Sequence, residues 1–290
     1  MTVHPADAGC VERVDAPPLQ ATLNRVAAHS PRWTVRIGRP GAPGWYGAVD
    51  VRDRLDELVG RIGRRYGTDD PAVTGTFFLK TYARVVVGAA LVSLVTERRV
   101  PDVGPRNVAF RIGEDGIVRE LALRQPRFIA LPGDPDAGHA DAMVLPDSDA
   151  LRGWLRERLV NGHMAELIPL LRPRTRRGPR ALWGTVSDMC SGALAILAEV
   201  EGTPASAARL DRECHAFLST GPPLVDGPPL CPIVHAGGLV SGWQRVTCCL
   251  AYRLPDSELC VSCPCLNAEE RARRLRAQLE TRAHDHRTPI

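Results

Sequence analysis

The chain has 290 residues, 44% of them hydrophobic and 24% charged, with a formal net charge of +4. That is enough apolar sequence for a substantial core in one large domain or two modest ones. Aromatic residues make up only 5%, and no basic stripe interleaved with aromatics is present, which argues against a nucleic-acid binder.

The basic residues are lopsided: Lys80 is the only lysine and all the others are arginine, a pattern that reads first as codon bias. Residues 1–18 carry Pro5, Gly9, Pro17 and Pro18 without periodicity and form a flexible lead-in. Met1 to Cys10 has neither a basic start nor an apolar core, so no secretory signal is visible and a cytoplasmic location is expected. The spacing of Leu23, Val26 and Ala27 predicts a helix over 19–28, and Trp33 to Ile37 alternates as a short strand does. Gly38 to Gly47 matches neither G-x-G-x-x-G nor a P-loop, and its prolines remove N–H donors, so a surface loop is expected.

Val51, Leu55, Leu58, Val59 and Ile62 share one face of an amphipathic helix over 51–66. Asp70 followed by Pro71 is a helix start, and the apolar content through Phe77, Phe78 and Val85 to Val95 makes this second helix the buried centre of the N-terminal half. Its longest apolar run, between Arg84 and Arg98-Arg99, is too short to span a bilayer, which needs about 20 apolar residues. No transmembrane segment is expected. Asn107–Ile112 and Ile117–Leu131, separated by Gly113 and Gly116, read as an antiparallel hairpin and its extension. After a loop over 131–138, Asp147 or Ser148 caps a helix from Asp149 to about Leu171.

Arg172 to Arg180 contains two prolines, a glycine and five arginines, and marks the main internal boundary. A small-residue helix over 181–200 and a helix from Thr203-Pro204 through Leu218 follow. Asn267 with Glu270 makes a capping box for an arginine-rich helix to about Arg282. The predicted class is α+β, mostly helical with a small antiparallel sheet and a C-terminal cysteine-rich hairpin. The expected divisions are the lead-in 1–18, an α+β part 19–175, a helical part 176–245 and a cysteine hairpin with terminal helix 246–290.

Five of the nine cysteines fall between Thr247 and Cys265: Cys248, Cys249, Cys260, Cys263 and Cys265. In a reducing cytoplasm such a cluster argues for metal rather than disulfides. Pro255-Asp256-Ser257 is a turn sequence midway between the pairs, and folding there sets Cys248 and Cys249 opposite Cys260 to Cys263. Neighbouring strand residues point to opposite faces, so both vicinal cysteines serve one centre only if the backbone there is irregular. A rhombic two-iron cluster is wide enough for such a spread pair, each iron taking two sulfurs. A structural zinc site stays open, although zinc ribbons normally use two C-x-x-C knuckles.

The pattern Cys248-Cys249-x10-Cys260-x2-Cys263 resembles the C-terminal signature of the FhuF-like ferric siderophore reductases. Arg253-Leu-Pro-Asp within it, and Arg180-Ala-Leu-Trp-Gly184 opening a small-residue helix upstream, are also similar to that family. The resemblance implies a [2Fe-2S] cluster held by Cys248, Cys249, Cys260 and Cys263, with Cys265 outside the pattern. It also implies one-electron reduction of a ferric siderophore, which loosens the metal because its hard oxygen donors hold Fe(III) far more tightly than Fe(II). No dinucleotide or flavin motif is visible, so electrons are expected from a ferredoxin, a flavodoxin-type carrier or an NAD(P)H-dependent reductase. A zinc-stabilised siderophore-binding module and a [2Fe-2S] redox sensor are the alternatives.

Outside the motif, Arg172 to Arg180 suits either an anionic ferric complex and an acidic carrier or a solvated linker. His163 and His235 stand alone and read as structural or surface residues. Trp243 and Tyr252 flank the motif as shields for a cluster or as ordinary packing. Cys190 and Cys214 read as buried small apolar groups, while Cys231 and Cys10 carry no assignment.

Overall fold

The computed structural model describes residues 16–235 and 238–285. Cys10 lies outside them, and so do the side chains of Cys231 and His235. The chain opens with α1 (Pro18–His29), a short 3₁₀ turn (Pro31–Trp33), β1 (Val35–Ile37) and β2 (Trp45–Gly47). The expected strand at 33–37 thus begins two residues late, because Trp33 ends the 3₁₀ turn with its ring buried. The expected surface loop over 38–47 ends as strand, with Trp45 to Gly47 pairing against Arg111 to Ala109.

Helix α2 (Val51–Tyr66) turns Leu55, Leu58 and Ile62 inward, and Gly67 closes it in the left-handed conformation. Asp70 then accepts the Ala72 amide through Oδ1 at 2.9 Å, and Pro71 opens α3 (Pro71–Glu97). A helix apolar on all sides must be covered on all sides, and α3 is buried at nearly every position from Val73 to Val95. The two breaks before Thr96 are Lys80 and Arg84, one turn apart on one face.

After β3 (Val100–Pro101) come β4 (Val108–Ile112), β5 (Val118–Leu123), β6 (Phe128–Ala130) and β7 (Ala142–Val144). The β4–β5 hairpin is antiparallel as expected, with Gly116 at positive φ in its turn. The sheet around it, ordered β1-β5-β4-β2, is mixed, since β1 runs parallel to β5. The extension to Leu131 leaves this sheet: β6 lies between β3 and β7 in a separate three-stranded sheet.

Asp147 caps α4 (Ser148–Arg156) by accepting the Ala150 amide at 2.8 Å. The chain continues as a π-helical segment (Glu157–Met164) and then α5 (Ala165–Thr175). The helix therefore runs past the expected end, carrying Pro169 and Pro173 inside it. Then come α6 (Pro179–Glu201) and α7 (Pro204–Leu218), the latter opened by a capping box of Thr203 and Ser206. Strands β8 (Cys231–His235) and β9 (Gly238–Gly242) pair antiparallel, and α8 (Ala268–Asp285) completes the described chain.

Helices α3 and α6 pack face to face at the centre of one apolar cluster running from Leu19 to Leu254. Both are long and apolar enough to cross a membrane, yet 89% of the most apolar window of each is buried inside the fold.

The π-helical segment places His163 in this core. Its Nδ1 lies 2.6 Å from the Val103 carbonyl, which can only accept, so Nδ1 carries the proton and Nε2 accepts from the Tyr82 hydroxyl at 2.5 Å. Burial pushes the His163 pKa down to about 4, partly opposed by the Val103 carbonyl. The native state thus resists protonation that the unfolded chain accepts near 6.5, so stability present above pH 6.5 falls as pH drops toward 4, by at most about 1.4 kcal/mol per unit. Tyr82→Phe leaves Nε2 buried without a partner and is expected to cost about 1–3 kcal/mol. Urea titrations at pH 7 and pH 5 check both expectations.

Candidate metal centre

The cysteine segment folds back as expected, through a turn rather than a strand hairpin. Ser257 donates its amide to the Leu254 carbonyl at 3.3 Å, with Pro255 second and Asp256 third at φ 54°. This is a type II turn, which demands positive φ at its third residue. Neither arm is a regular strand, and Leu250 also takes a left-handed conformation. That irregularity next to Cys248 and Cys249 is what lets both sulfurs reach one side.

The thiols meet in two groups. The Sγ atoms of Cys248, Cys263 and Cys265 lie within 4.8 Å of one another. The neighbouring Cys260 thiol holds Cys249 well below the usual thiol range, and Cys249 in turn pushes Cys260 up. Nearby Lys80 helps to lower Cys249, while burial opposes it. The Cys248 thiol is pushed up to about 11, chiefly by burial. Each vicinal cysteine therefore has a partner across the fold-back, Cys248 with Cys263 and Cys249 with Cys260. Four such thiols match in number the donors that a two-iron cluster takes. Cys249 and Cys263 are buried and Cys265 is exposed.

Backbone and arginine contacts hold the loop in shape. Cys263 donates its amide to the Cys260 carbonyl at 2.8 Å, tightening the C-x-x-C turn, and the Leu250 amide points at Cys248 Sγ at 3.4 Å. The two arms are joined by Arg245, whose amide reaches the Ser262 carbonyl at 2.9 Å and whose Nε reaches Ser262 Oγ at 3.0 Å. From α8, Arg271 donates to the carbonyls of Cys263 and Leu266, and Arg274 to that of Leu259. Arg253 ties the turn to the α3 N-cap through Asp70 at 2.8 Å.

Asp188, buried on α6, anchors the approach to Cys248. Its Oδ1 accepts the Val246 amide at 2.7 Å. Burial pushes its carboxyl up to about 7, against the pull of Arg245, whose Nη1 stands 3.9 Å away. Asp188→Ala is expected to free the Val246 amide and loosen the loop, accelerating loss of the metal centre to a chelator about tenfold, which absorbance decay in excess chelator measures.

Of the other residues singled out from the sequence, Cys190 and Cys214 are buried as expected, and His163 is structural. Trp243 stacks on Arg245 at 4.7 Å, whereas Tyr252 is 48% exposed and stands open to water. The arginine run is divided among tasks: Arg174 pairs with Asp56, and Arg177 donates to Thr247 beside Cys248 at 2.9 Å. Asp188, Arg245 and Ser262 had no local motif to announce them. Lys80 did carry a signal, as the only lysine among arginines, though composition alone gave it no place.

The fold-back defines a thiolate centre of the kind that carries an iron–sulfur cluster. Two family descriptions match the chain: "Ferric iron reductase FhuF-like transporter" over residues 76–231 and "FhuF 2Fe-2S C-terminal domain" over residues 245–264. The chain belongs to the FhuF family, and its cofactor is a [2Fe-2S] cluster. The second match ends before Cys265.

No curated protein matches the sequence. Among solved structures, the ATP-bound aerobactin synthetase IucA from a hypervirulent Klebsiella pneumoniae aligns with TM-score 0.48 and 12% identity, over 61% of this chain and 40% of its own. The aerobactin synthetase IucC from the same source aligns with TM-score 0.43 and 14% identity, over 64% and 33%. The chain thus spans well under half the length of either synthetase.

Proposed function

We propose that the protein reduces ferric siderophores by one electron in the cytoplasm, with Cys248, Cys249, Cys260 and Cys263 as the ligands of its cluster. The observation that carries this reading is the meeting of the vicinal pair and the C-x-x-C turn across the fold-back, with Cys248 Sγ within 4.8 Å of Cys263 Sγ. When bound, the [2Fe-2S] group supplies single electrons, which suits Fe(III) to Fe(II) conversion in a chelate. The chain's own part is to hold four thiolates in an irregular, half-buried loop and to surround them with cations. Lys80, Arg245, Arg271 and Arg274 offset the negative charge that four thiolates bring. Electrons come from a separate one-electron protein donor.

Cys265 stays outside the ligand set in this reading, since four ligands saturate the two irons and the family domain ends before it. Protein purified without oxygen and reduced with dithionite is expected to show a rhombic EPR signal. That signal should disappear on adding one equivalent of a ferric trihydroxamate, as Fe(II) appears in a ferrous trap. A colourless protein with stoichiometric zinc, or a signal that persists with the ferric chelate present, would overturn the proposal.

A further inference from the structure

The C-x-x-C turn forms one end of a cleft of about 370 Å³, a size within the range of small-molecule sites. Val261 and Ser262, between Cys260 and Cys263, stand in its wall. A second wall is the apolar stripe Met189, Gly192, Ala193 and Ile196 on α6, spaced to share one helix face. Trp243 lies against that stripe so closely that a Cβ on Gly192 would come within 2.8 Å of its ring.

The remaining wall is cationic. Lys80 and Arg84 enter it from α3, Arg32 from the adjoining 3₁₀ turn, and Arg245 from beside the cysteine loop. Like charges at i and i+4 on a helix repel, and here they interrupt a helix that is otherwise sealed in the core. Among the described residues none of Arg32, Lys80 and Arg84 forms an ion pair, and Arg84 Nε is buried without a hydrogen-bond partner. Lys80 rests over the Phe77 ring at 5.2 Å. The carboxylate on the cleft wall is Glu199, which is itself engaged.

The neighbouring cavity makes the contrast. It shares Arg32, Lys80 and Arg84 with the cleft. There, however, Arg36 and Arg111 are paired with Glu120, and Arg65 and Arg119 with Asp115. Those charges are already neutralised, and that cavity does not touch the cysteine loop. Among the described residues Arg32, Lys80 and Arg84 are left without a carboxylate partner, and in the cleft they share a wall with the C-x-x-C turn.

We infer that this cleft is the substrate site and that it selects ferric chelates of net negative charge. The cations of Arg32, Lys80 and Arg84 receive the anionic oxygens, and Trp243 with the α6 stripe covers the organic periphery. This inference rests on the proposed reductase activity but is tested apart from it. A chelate seated here lies against Val261 and Ser262, and so next to Cys260, whose Sγ is 3.7 Å from Ser262 Oγ. Close approach of that kind is what electron transfer without bond formation needs.

The test is calorimetric binding of redox-inert gallium(III) complexes to the oxidised, cluster-loaded protein. The trianionic complex of a hexadentate tris-catecholate is expected to bind at least about tenfold more tightly than the neutral complex of a tris-hydroxamate of similar size, with the difference shrinking as salt is raised. Arg84→Gln is expected to weaken the anionic complex about tenfold and leave the neutral one nearly unchanged. Arg32→Gln, at an exposed position where folding is not at risk, is expected to do the same to a lesser degree, and the cluster absorbance confirms that each variant is loaded. Equal binding of the two complexes, no binding of either, or anionic binding indifferent to both substitutions would overturn the inference. Because gallium is not reduced, loss of ferric turnover with charge-selective binding intact would count against the reductase reading and leave the cleft standing.

Discussion

Cys263→Ser protein is expected to lose its visible absorbance and to retain at least about tenfold less iron than the unaltered chain, while Cys265→Ser protein keeps both. The two thiols lie within 4.8 Å of each other and of Cys248, so proximity does not separate them. Their settings do. Cys263 is buried, its amide closes the turn onto Cys260, and its carbonyl is held by Arg271. Cys265 is exposed and lies beyond the matched cluster domain. Anaerobic purification of the two variants side by side, with iron and absorbance measured on each, checks the assignment. Bleaching by Cys265→Ser with colour retained in Cys263→Ser would exchange their roles.

Gly88→Ala is expected to produce the largest loss of stability from a single added methyl group. Gly88 lies in the buried middle of α3, where a Cβ would sit inside contact distance of the Trp33 indole nitrogen and its neighbouring ring carbon. Trp33 is 1% exposed, so the ring can yield only toward the cleft it lines. Overpacking of this kind costs about 1–3 kcal/mol, and a chain of this size loses about 2–4 °C of Tm for each of those. A Tm lowered by roughly 2–12 °C by differential scanning calorimetry is the expected result. The smaller ring in a Trp33→Phe, Gly88→Ala double variant is expected to recover part of it, because the two sites share one contact. An unchanged Tm would mean that α3 and the 3₁₀ turn are not packed this closely.

Where local chemistry decides an outcome, these elements were legible from the sequence. Asp70 before Pro71, Asp147 before an apolar helix, and Thr203 before Pro204 each satisfy amide groups within three residues. The turn at Pro255 is legible for the same reason, and so is the meeting of Cys248 with Cys263 that follows from it. Parallel pairing of Val35–Ile37 with Leu121–Leu123 joins segments more than eighty residues apart and leaves no local mark. A further mismatch lies in the π-helical turn, since the heptad-like spacing of Leu151, Leu155 and Leu159 continues straight into it. The cleft was hidden for a different reason. Lys80 and Arg84 sit inside an apolar helix whose overall character is that of a core element, and only the position of Arg245, sixteen residues before Val261, shows which of its faces stays open. Asp188 reads in sequence as one polar residue on an apolar helix, and its task is set by a backbone amide 58 positions away.

The central claim, one-electron reduction of a ferric chelate at the paired thiolates, is tested most directly by single-turnover stopped flow. Anaerobically reduced protein mixed with excess ferric siderophore is expected to regain the absorbance of the oxidised cluster at a rate that saturates with chelate concentration, releasing one Fe(II) for each cluster oxidised. A reduced cluster that keeps its spectrum unchanged in the presence of every ferric chelate offered would contradict it, and would mark the centre as a sensor rather than a reductase.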